Sequence, residues 1–378
     1  MNTEAQLANE QRYGEFSLRL HERSVAQRIP LAAAIEVTRR CPLQCAQCYN
    51  NLPLSDVNAS RAELTCEEHC RILDELAGAG CLWILFTGGE IFSRKDFLDI
   101  YIHAKRKGFL ITLFTNGVLV TPEIADHLAE WRPFSIGVTL YGRTKATYER
   151  ITGTPGSYER CMRGIALLLE RGLPLALKSV IVSLNRHEVD AMRSYAEELG
   201  VPFRLDAMIN PRIDGSRKPL AVRLVPAEIV RIDLEDPKRL AHWRDFTCRL
   251  CGPDARPQAP RTVYECGAGV NSLSIDPNGR MSMCLLSGRR AYDLRAGTFR
   301  EGWNGLLRAA RTEPAARVTK CTDCSIKALC GMCPANGELE AGDPESPVAF
   351  LCQVAHLRAN AFGVPVPAHG DCEYCEGK

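Results

Sequence analysis

Six short apolar runs recur between residues 31 and 210, each separated from the next by an amphipathic helical segment. This alternation restricts the chain to an α/β architecture with a parallel sheet covered by helices. The runs are Leu31–Thr38, Leu82–Thr87, Leu110–Thr115, Phe134–Leu140, Leu175–Ser183 and Phe203–Met208. They are nearly continuous in hydrophobicity, as strands buried on both faces are. Helix starts are marked between them. Thr65 followed by Glu68 is a capping box, Thr121-Pro122 places proline at a first helical position, and a helix from Ser157 closes on Gly172. Right-handed crossovers through such helices predict a partial (β/α)6, TIM-like barrel.

The rhythm breaks near residue 210. Asn210 to Pro226 is rich in proline and arginine, and Gly252 to Pro260 carries three more prolines. Helices are expected over Ala227–Asp233 and Lys238–Phe246. Residues 261 to 355 are dense in cysteine and poor in periodic apolar pattern, so metals are expected to stand in for a core there. The expected division is an N-terminal extension (1–30), a barrel (31–235), a linker (236–260), a small cysteine-rich domain with little regular structure (261–360) and a tail (361–378). At 378 residues the chain is long enough for this division.

The N-terminus has no apolar signal core and no stretch is long enough to span a membrane. A cytoplasmic, reducing compartment is therefore expected. There, eighteen cysteines read as metal ligands rather than disulfides. The net charge of +2 and the lack of a long basic run exclude nucleic acid as an expected partner. Lys105-Arg106-Lys107 reads as the solvated face of a helix.

Cys41, Cys45 and Cys48 follow the first strand directly. Three thiolates are one short of a [4Fe–4S] ligand set, which leaves one iron open to another molecule. The alternatives are plain loop cysteines and a zinc site closed by a residue from elsewhere. Three more features end strands: Thr87-Gly88-Gly89-Glu90, Thr115-Asn116-Gly117 and Thr139-Leu140-Tyr141-Gly142. Singly, the Gly-Gly and Asn-Gly pairs are ordinary turn signals, and Glu90 reads as a helix cap. Together they fall on the rim where a parallel barrel forms its active site.

The cysteine triplet and Gly88-Gly89-Glu90 resemble the radical S-adenosylmethionine (radical SAM) superfamily. The resemblance implies that the triplet ligates a [4Fe–4S] cluster whose open iron binds S-adenosylmethionine, and that reductive cleavage yields a 5′-deoxyadenosyl radical. It implies that Gly88, Gly89 and Glu90 hold the methionyl amine, that Thr139 replaces a cofactor-contacting serine, and that Asn116 lies near the ribose. Gln47 stands where the family usually has an aromatic residue near adenine. Tyr141-Gly142 replaces a frequent Asp-Gly pair. Arg150 is a nearby cation for the carboxylate.

Downstream, Cys266, Cys284, Cys321, Cys324, Cys330, Cys333 and Cys352 resemble the SPASM domain of peptide-modifying radical enzymes. The resemblance implies two auxiliary [4Fe–4S] clusters. Cys321, Cys324, Cys330 and Cys352 would hold one. Cys266, Cys284 and Cys333 would hold the other, with Cys251, or Cys248, as fourth ligand. Two zinc-ribbon sites suit the same spacings. Cys66, Cys70, Cys81 and Cys161 read as buried small hydrophobes. The Cys372-x-x-Cys375 pair is left open between an extra site, a dithiol and no role.

By this resemblance the chain crosslinks or oxidises a ribosomally made precursor peptide. About 30 residues precede the first strand, too few for a winged-helix leader-binding domain, so a separate leader-binding protein is expected. A flavodoxin or ferredoxin is expected as reductant. Leu285 occupies the place of the general-base Asp of sulfatase-maturing relatives, which disfavours formylglycine formation. The rival readings are oxidation of a small molecule such as a tetrapyrrole or sugar alcohol, and a zinc-bearing interaction module without catalysis.

Overall fold

The computed structural model describes residues 13–250, 262–322, 324–366 and 372–374. An N-terminal helix, α1 (Tyr13–Gln27), precedes β1 (Ala32–Thr38). The βα units then run α2 (Cys66–Gly78), β2 (Trp83–Gly88), α3 (Phe97–Arg106), β3 (Leu110–Thr115), α4 (Pro122–Glu130) and β4 (Ser135–Thr139). They continue with α5 (Lys145–Thr152), α6 (Ser157–Glu170), β5 (Leu175–Val180), α7 (Val189–Glu198) and β6 (Phe203–Asp206). Strands β1 to β6 lie side by side in chain order, each parallel to the next. This is the parallel sheet of a partial TIM-like barrel.

The helix signals act as the sequence predicts. Thr65 and Glu68 form the reciprocal capping box of α2, and Thr121 caps α4 with Pro122 at its first turn. Strands β5 and β6 stop short of the predicted ends for a local reason. The Asn185 side chain accepts from Val182 N and donates to the carbonyls of Val180 and Tyr141, replacing sheet partners. The Asp206 carboxylate accepts from Met208 N and turns the chain in the same way. Such side-chain bonds compete directly with a ladder.

The cysteine-rich region departs from the expectation of a segment without a core of its own. β7 (Ser272–Ile275) pairs in parallel with the free edge of β1, with Ile35 opposite Ile275. β8 (Arg280–Cys284) and β9 (Ser287–Asp293) extend the sheet in antiparallel fashion. Leu273, Ile275, Met281, Phe299, Trp303 and Leu307 join the same core as Ile35, Phe86 and Leu113. The pattern hid because β7 and β8 are short and alternate serine with apolar residues.

The remainder has a smaller core. Ile326, Leu329, Cys330, Val348, Leu351 and Ala355 pack together, with Trp243 and Phe246 against them. Those two aromatics lie on α9 (Pro237–Leu250), which follows α8 (Pro226–Glu235) and occupies the first part of the expected linker. Helix α14 (Ala349–Ala361) is tied to α8 by the buried pair Arg358–Asp233 at 2.9 Å, and the Arg358 guanidinium stacks 4.2 Å from the Trp243 ring. Between β9 and α14 lie α10 (Phe299–Gly302), a π-helical turn (Trp303–Leu307), α11 (Arg308–Arg311), α12 (Lys327–Cys330) and α13 (Pro334–Ala341).

Candidate active site

A cavity of about 650 Å³ opens at the C-terminal ends of the parallel strands. Cys41, Cys45, Cys48, Gly88, Gly89, Asn116 and Thr139 all line it. The convergence read from strand-end motifs is therefore a physical one.

The cysteine loop is held from several sides. Gln44 N and Ala46 N donate to the carbonyls of Thr152 and Ile151 at the end of α5, at 2.8 and 3.0 Å. Arg212, in the proline- and arginine-rich stretch, donates to the Cys48 carbonyl at 3.3 Å and to Asn51 Oδ1 and O at 2.7 and 2.8 Å. Below the loop, Glu63 is buried and accepts from Thr38 Oγ1 at 2.5 Å and from both Nε and Nη2 of Arg40. Arg94 closes this network between Glu63, Asp96 and the Val37 carbonyl.

Gly88 and Gly89 have a steric reason to be glycine. A Cβ on Gly88 would lie 2.1 Å from the Thr38 carbonyl oxygen, and its φ is +141°. A Cβ on Gly89 would lie 2.5 Å from the carbonyl oxygens of Arg39 and Arg40. The approach lets Gly89 N donate to Thr38 O at 2.7 Å and sets the end of β2 against the root of the cysteine loop.

Glu90 does not line the cavity. Its carboxylate is buried beneath the rim, accepting from Thr115 Oγ1 at 2.6 Å and Asn116 N at 2.7 Å. Burial raises its pKa to about 6, against the lowering effect of those bonds. Its geometry is that of a group that positions Asn116, whose Nδ2 in turn donates to Cys41 Sγ at 3.4 Å.

The three thiols are poor anions in this setting. Burial, and next the nearby Glu90, push Cys41 up to about 12. Burial likewise raises Cys45 and Cys48. Three thiols gathered in a low-dielectric pocket need a bound cationic centre to ionise together, which is the chemistry of an iron–sulfur ligand set. Gln47 adds a buried Oε1 with no hydrogen-bond partner, on a residue that also lines the cavity. That oxygen is an acceptor waiting for a donor from a bound molecule. The donor set and the roomy cavity beside it fit a cluster with a bound small molecule.

Several cavity residues escaped the sequence reading. Lys178 and Arg204 are register partners on β5 and β6, and both line the cavity. Lys178 Nζ sits 3.2 Å from the centroid of the Phe114 ring, and burial lowers its pKa to about 7. Arg150, the cation singled out from sequence, is exposed on α5 and not part of the cavity. The strand pattern alone could have found Lys178, since it is the one charged residue within the fifth apolar run. Leu285 and Leu286, just after Cys284, close the cavity from the cysteine-rich side.

Cys321, Cys324, Cys330 and Cys352 line one small cavity of about 20 Å³ with Lys320 and His356. The Cys352 thiol donates to Cys321, which holds the Cys321 pKa down and pushes Cys352 up. Burial is the main cause of the raised pKa values of Cys284 and Cys333; Cys284 also feels Cys333 and Cys266, and Cys333 feels Cys266. Cys251 and Cys375 lie outside the described residues, and Cys248 is exposed. Cys372 is buried, 3.6 Å from His356 Nε2. Cys81 and Cys161 are buried as expected, but Cys66 and Cys70 on α2 are half-buried and share a thiol–thiol hydrogen bond, with Cys66 packed against the core. Among the described residues no group of three or more His, Cys, Asp or Glu is gathered tightly enough to hold a single metal ion.

A family profile described as the radical SAM superfamily matches residues 35–198. The PqqA peptide cyclase of Granulibacter bethesdensis is 33% identical over 289 residues, covering 73% of this chain and 74% of that protein. The chain belongs to the radical SAM superfamily. As a radical SAM enzyme it uses S-adenosylmethionine and a [4Fe–4S] cluster. The AdoMet-dependent heme synthase of Methanosarcina barkeri is 26% identical over 342 residues, covering 83% of this chain and 94% of that protein. The crystal structure of Streptococcus suis SuiB bound to S-adenosylmethionine shares the fold, with a TM-score of 0.65 at 16% identity over 89% of this chain and 80% of that one. Among the described residues no helix is long and apolar enough to cross a membrane.

Proposed function

We propose that the chain is a peptide-modifying radical SAM enzyme of the SPASM type, which crosslinks or oxidises a ribosomally made precursor. The observation that carries this reading is one cavity lined by Cys41, Cys45 and Cys48 on the barrel side and by Leu285 and Leu286, beside Cys284, on the other. Cys41, Cys45 and Cys48 are assigned to the radical-generating cluster. Cys321, Cys324, Cys330 and Cys352 are assigned to one auxiliary cluster, and Cys266, Cys284 and Cys333 to the other. When bound, the first cluster with S-adenosylmethionine supplies one-electron cleavage of the sulfonium and a hydrogen-abstracting radical.

The chain's own residues bind, orient and exclude water. Gly88 and Gly89 bring backbone groups to the cavity wall without side chains in the way. Glu90 fixes Asn116, and Asn116 bonds Cys41. Lys178 and Arg204, with Asp206 beside them, give this wall polar and charged groups suited to orienting a zwitterionic ligand. Leu285, Leu286 and Met208 add apolar lining, which keeps water from a reactive intermediate. The similarity to PqqA peptide cyclases over most of the chain supports the peptide. A separate leader-binding protein, and a flavodoxin or ferredoxin as electron donor, remain part of this proposal.

The second reading is oxidation of a tetrapyrrole, favoured by the near full-length match to the heme synthase. Both are tested by anaerobic incubation of the iron-reconstituted enzyme with reductant, S-adenosylmethionine and either a short peptide encoded beside its gene or an iron porphyrin. The peptide reading expects a peptide lighter by two hydrogens and an unchanged porphyrin. A changed porphyrin with an unchanged peptide contradicts it.

A further inference from the structure

Arg28 precedes β1, at the end of the strand opposite the cysteine loop; it is bonded to Trp303, whose turn leads into Arg308 and Arg311, and it feels both of their charges. None of the three makes an ion pair among the described residues. Two of their nitrogens, Arg28 Nε and Arg311 Nη1, are buried with no hydrogen-bond partner. A solvated surface arginine leaves no such atoms, because water satisfies them. A buried guanidinium N–H without an acceptor is costly, and more so beside two like charges.

The setting holds these groups in place rather than letting them escape. Arg28 follows α1 in the left-handed region, with φ of 51°, the only residue other than glycine with positive φ among those described. Its N–H donates to Val25 O, and Ile29 N donates to Ser24 O, so this is a helix stop where glycine would be free of strain. Its guanidinium lies 5.0 Å from the centroid of Trp303, with Nη2 donating to the Trp303 carbonyl at 3.1 Å. Trp303 Nε1 donates back to the Arg28 carbonyl at 2.8 Å. Trp303 is buried and opens the π-helical turn that leads directly into Arg308 and Arg311. Such turns are frequent at functional sites. Burial, then Arg308 and Arg311, lower the Arg28 pKa, as expected for a cation held among cations.

We infer that Arg28, Arg308 and Arg311 form a binding site for a compact oxyanion, a phosphate or a carboxylate group, on the face of the barrel remote from the cavity. Guanidinium forks match both groups in charge and geometry. This inference is independent of the substrate proposed above.

The test is a pair of measurements on the reconstituted full chain, the parent against R308Q/R311Q. Neither residue touches the cavity, and Arg308 is exposed, so the fold should survive. In the first, thermal unfolding is followed in inorganic phosphate and in chloride at equal ionic strength, and acetate replaces phosphate in a second series. The parent should melt higher in phosphate or acetate than in chloride. The stronger of the two identifies the oxyanion. The double variant should lose that increment and melt no lower than the parent in chloride, since it has shed unpaired like charges. In the second, calorimetric titration with the stronger anion should show at least tenfold weaker binding to the variant. Equal melting of the parent in all three anions, or an increment and affinity unchanged in the variant, overturns the site.

Discussion

The two well-formed cysteine groups differ in what they leave open. Cys41, Cys45 and Cys48 give three thiols and face about 650 Å³ of space. Cys321, Cys324, Cys330 and Cys352 give four thiols around about 20 Å³. A three-thiol site with room beside it can admit a reactant. A four-thiol site with none can hold and pass electrons but not bind substrate. On the proposed assignments the same ligand type would serve two tasks, with ligand count and free volume separating them.

The largest effect should come from removing the open site. Replacing Cys41, Cys45 and Cys48 together with Ala should lower iron content from about twelve to about eight per chain and abolish binding of S-adenosylmethionine by equilibrium dialysis. Unchanged binding would erase the distinction between the two sites. Cys321→Ala attacks the closed site instead. It should remove about four irons and stop turnover of the substrate, while S-adenosylmethionine still binds with its original affinity. Loss of that affinity would mean that the sites are not separable.

Gly88→Ala strikes only the wall of the open site. The new Cβ would meet the Thr38 carbonyl at 2.1 Å, so unfolding in denaturant should show a loss of roughly 2–3 kcal/mol. Iron at the closed site should be retained. The last effect, read as a slope against pH near neutrality, concerns the support beneath the cysteine loop. His69 is buried with Nε2 3.4 Å from Arg94 Nη1, and burial, followed by Arg94, lowers its pKa to about 3. Between about pH 6.5 and pH 3 the unfolded chain binds a proton there that the folded chain does not. Stability from this group is therefore full above pH 6.5 and falls as pH drops, by at most about 1.4 kcal/mol per unit. His69→Gln should flatten that part of the profile. Parallel profiles for parent and variant between pH 5 and 7 would contradict the assignment.

Much of this was legible in the chain. Apolar run length and cap residues located β1 to β6 within a few residues, because buried parallel strands and capped helices obey local rules. The convergence of Cys41, Gly88, Asn116 and Thr139 was readable because all four sit at strand ends. What was not legible depended on contacts distant in sequence. The pairing of β7 with β1 places serine-rich strands in the barrel core, and no local pattern signals it. The direction of Glu90, beneath the rim rather than into the cavity, follows from Thr115 and Asn116 supplying its hydrogen bonds. Arg212 reaches the Cys48 loop from a stretch whose composition suggested only a break in rhythm. Arg150 misled because proximity in sequence to a rim motif does not say which face of α5 a residue occupies.

The most direct test of the open-site account is release of 5′-deoxyadenosine by anaerobically reconstituted, dithionite-reduced chains supplied with S-adenosylmethionine. Chains carrying Cys321→Ala should release it, and chains lacking Cys41, Cys45 and Cys48 should release none. Release that persists without those three thiols, or a parent chain that binds stoichiometric zinc and releases none, would contradict it.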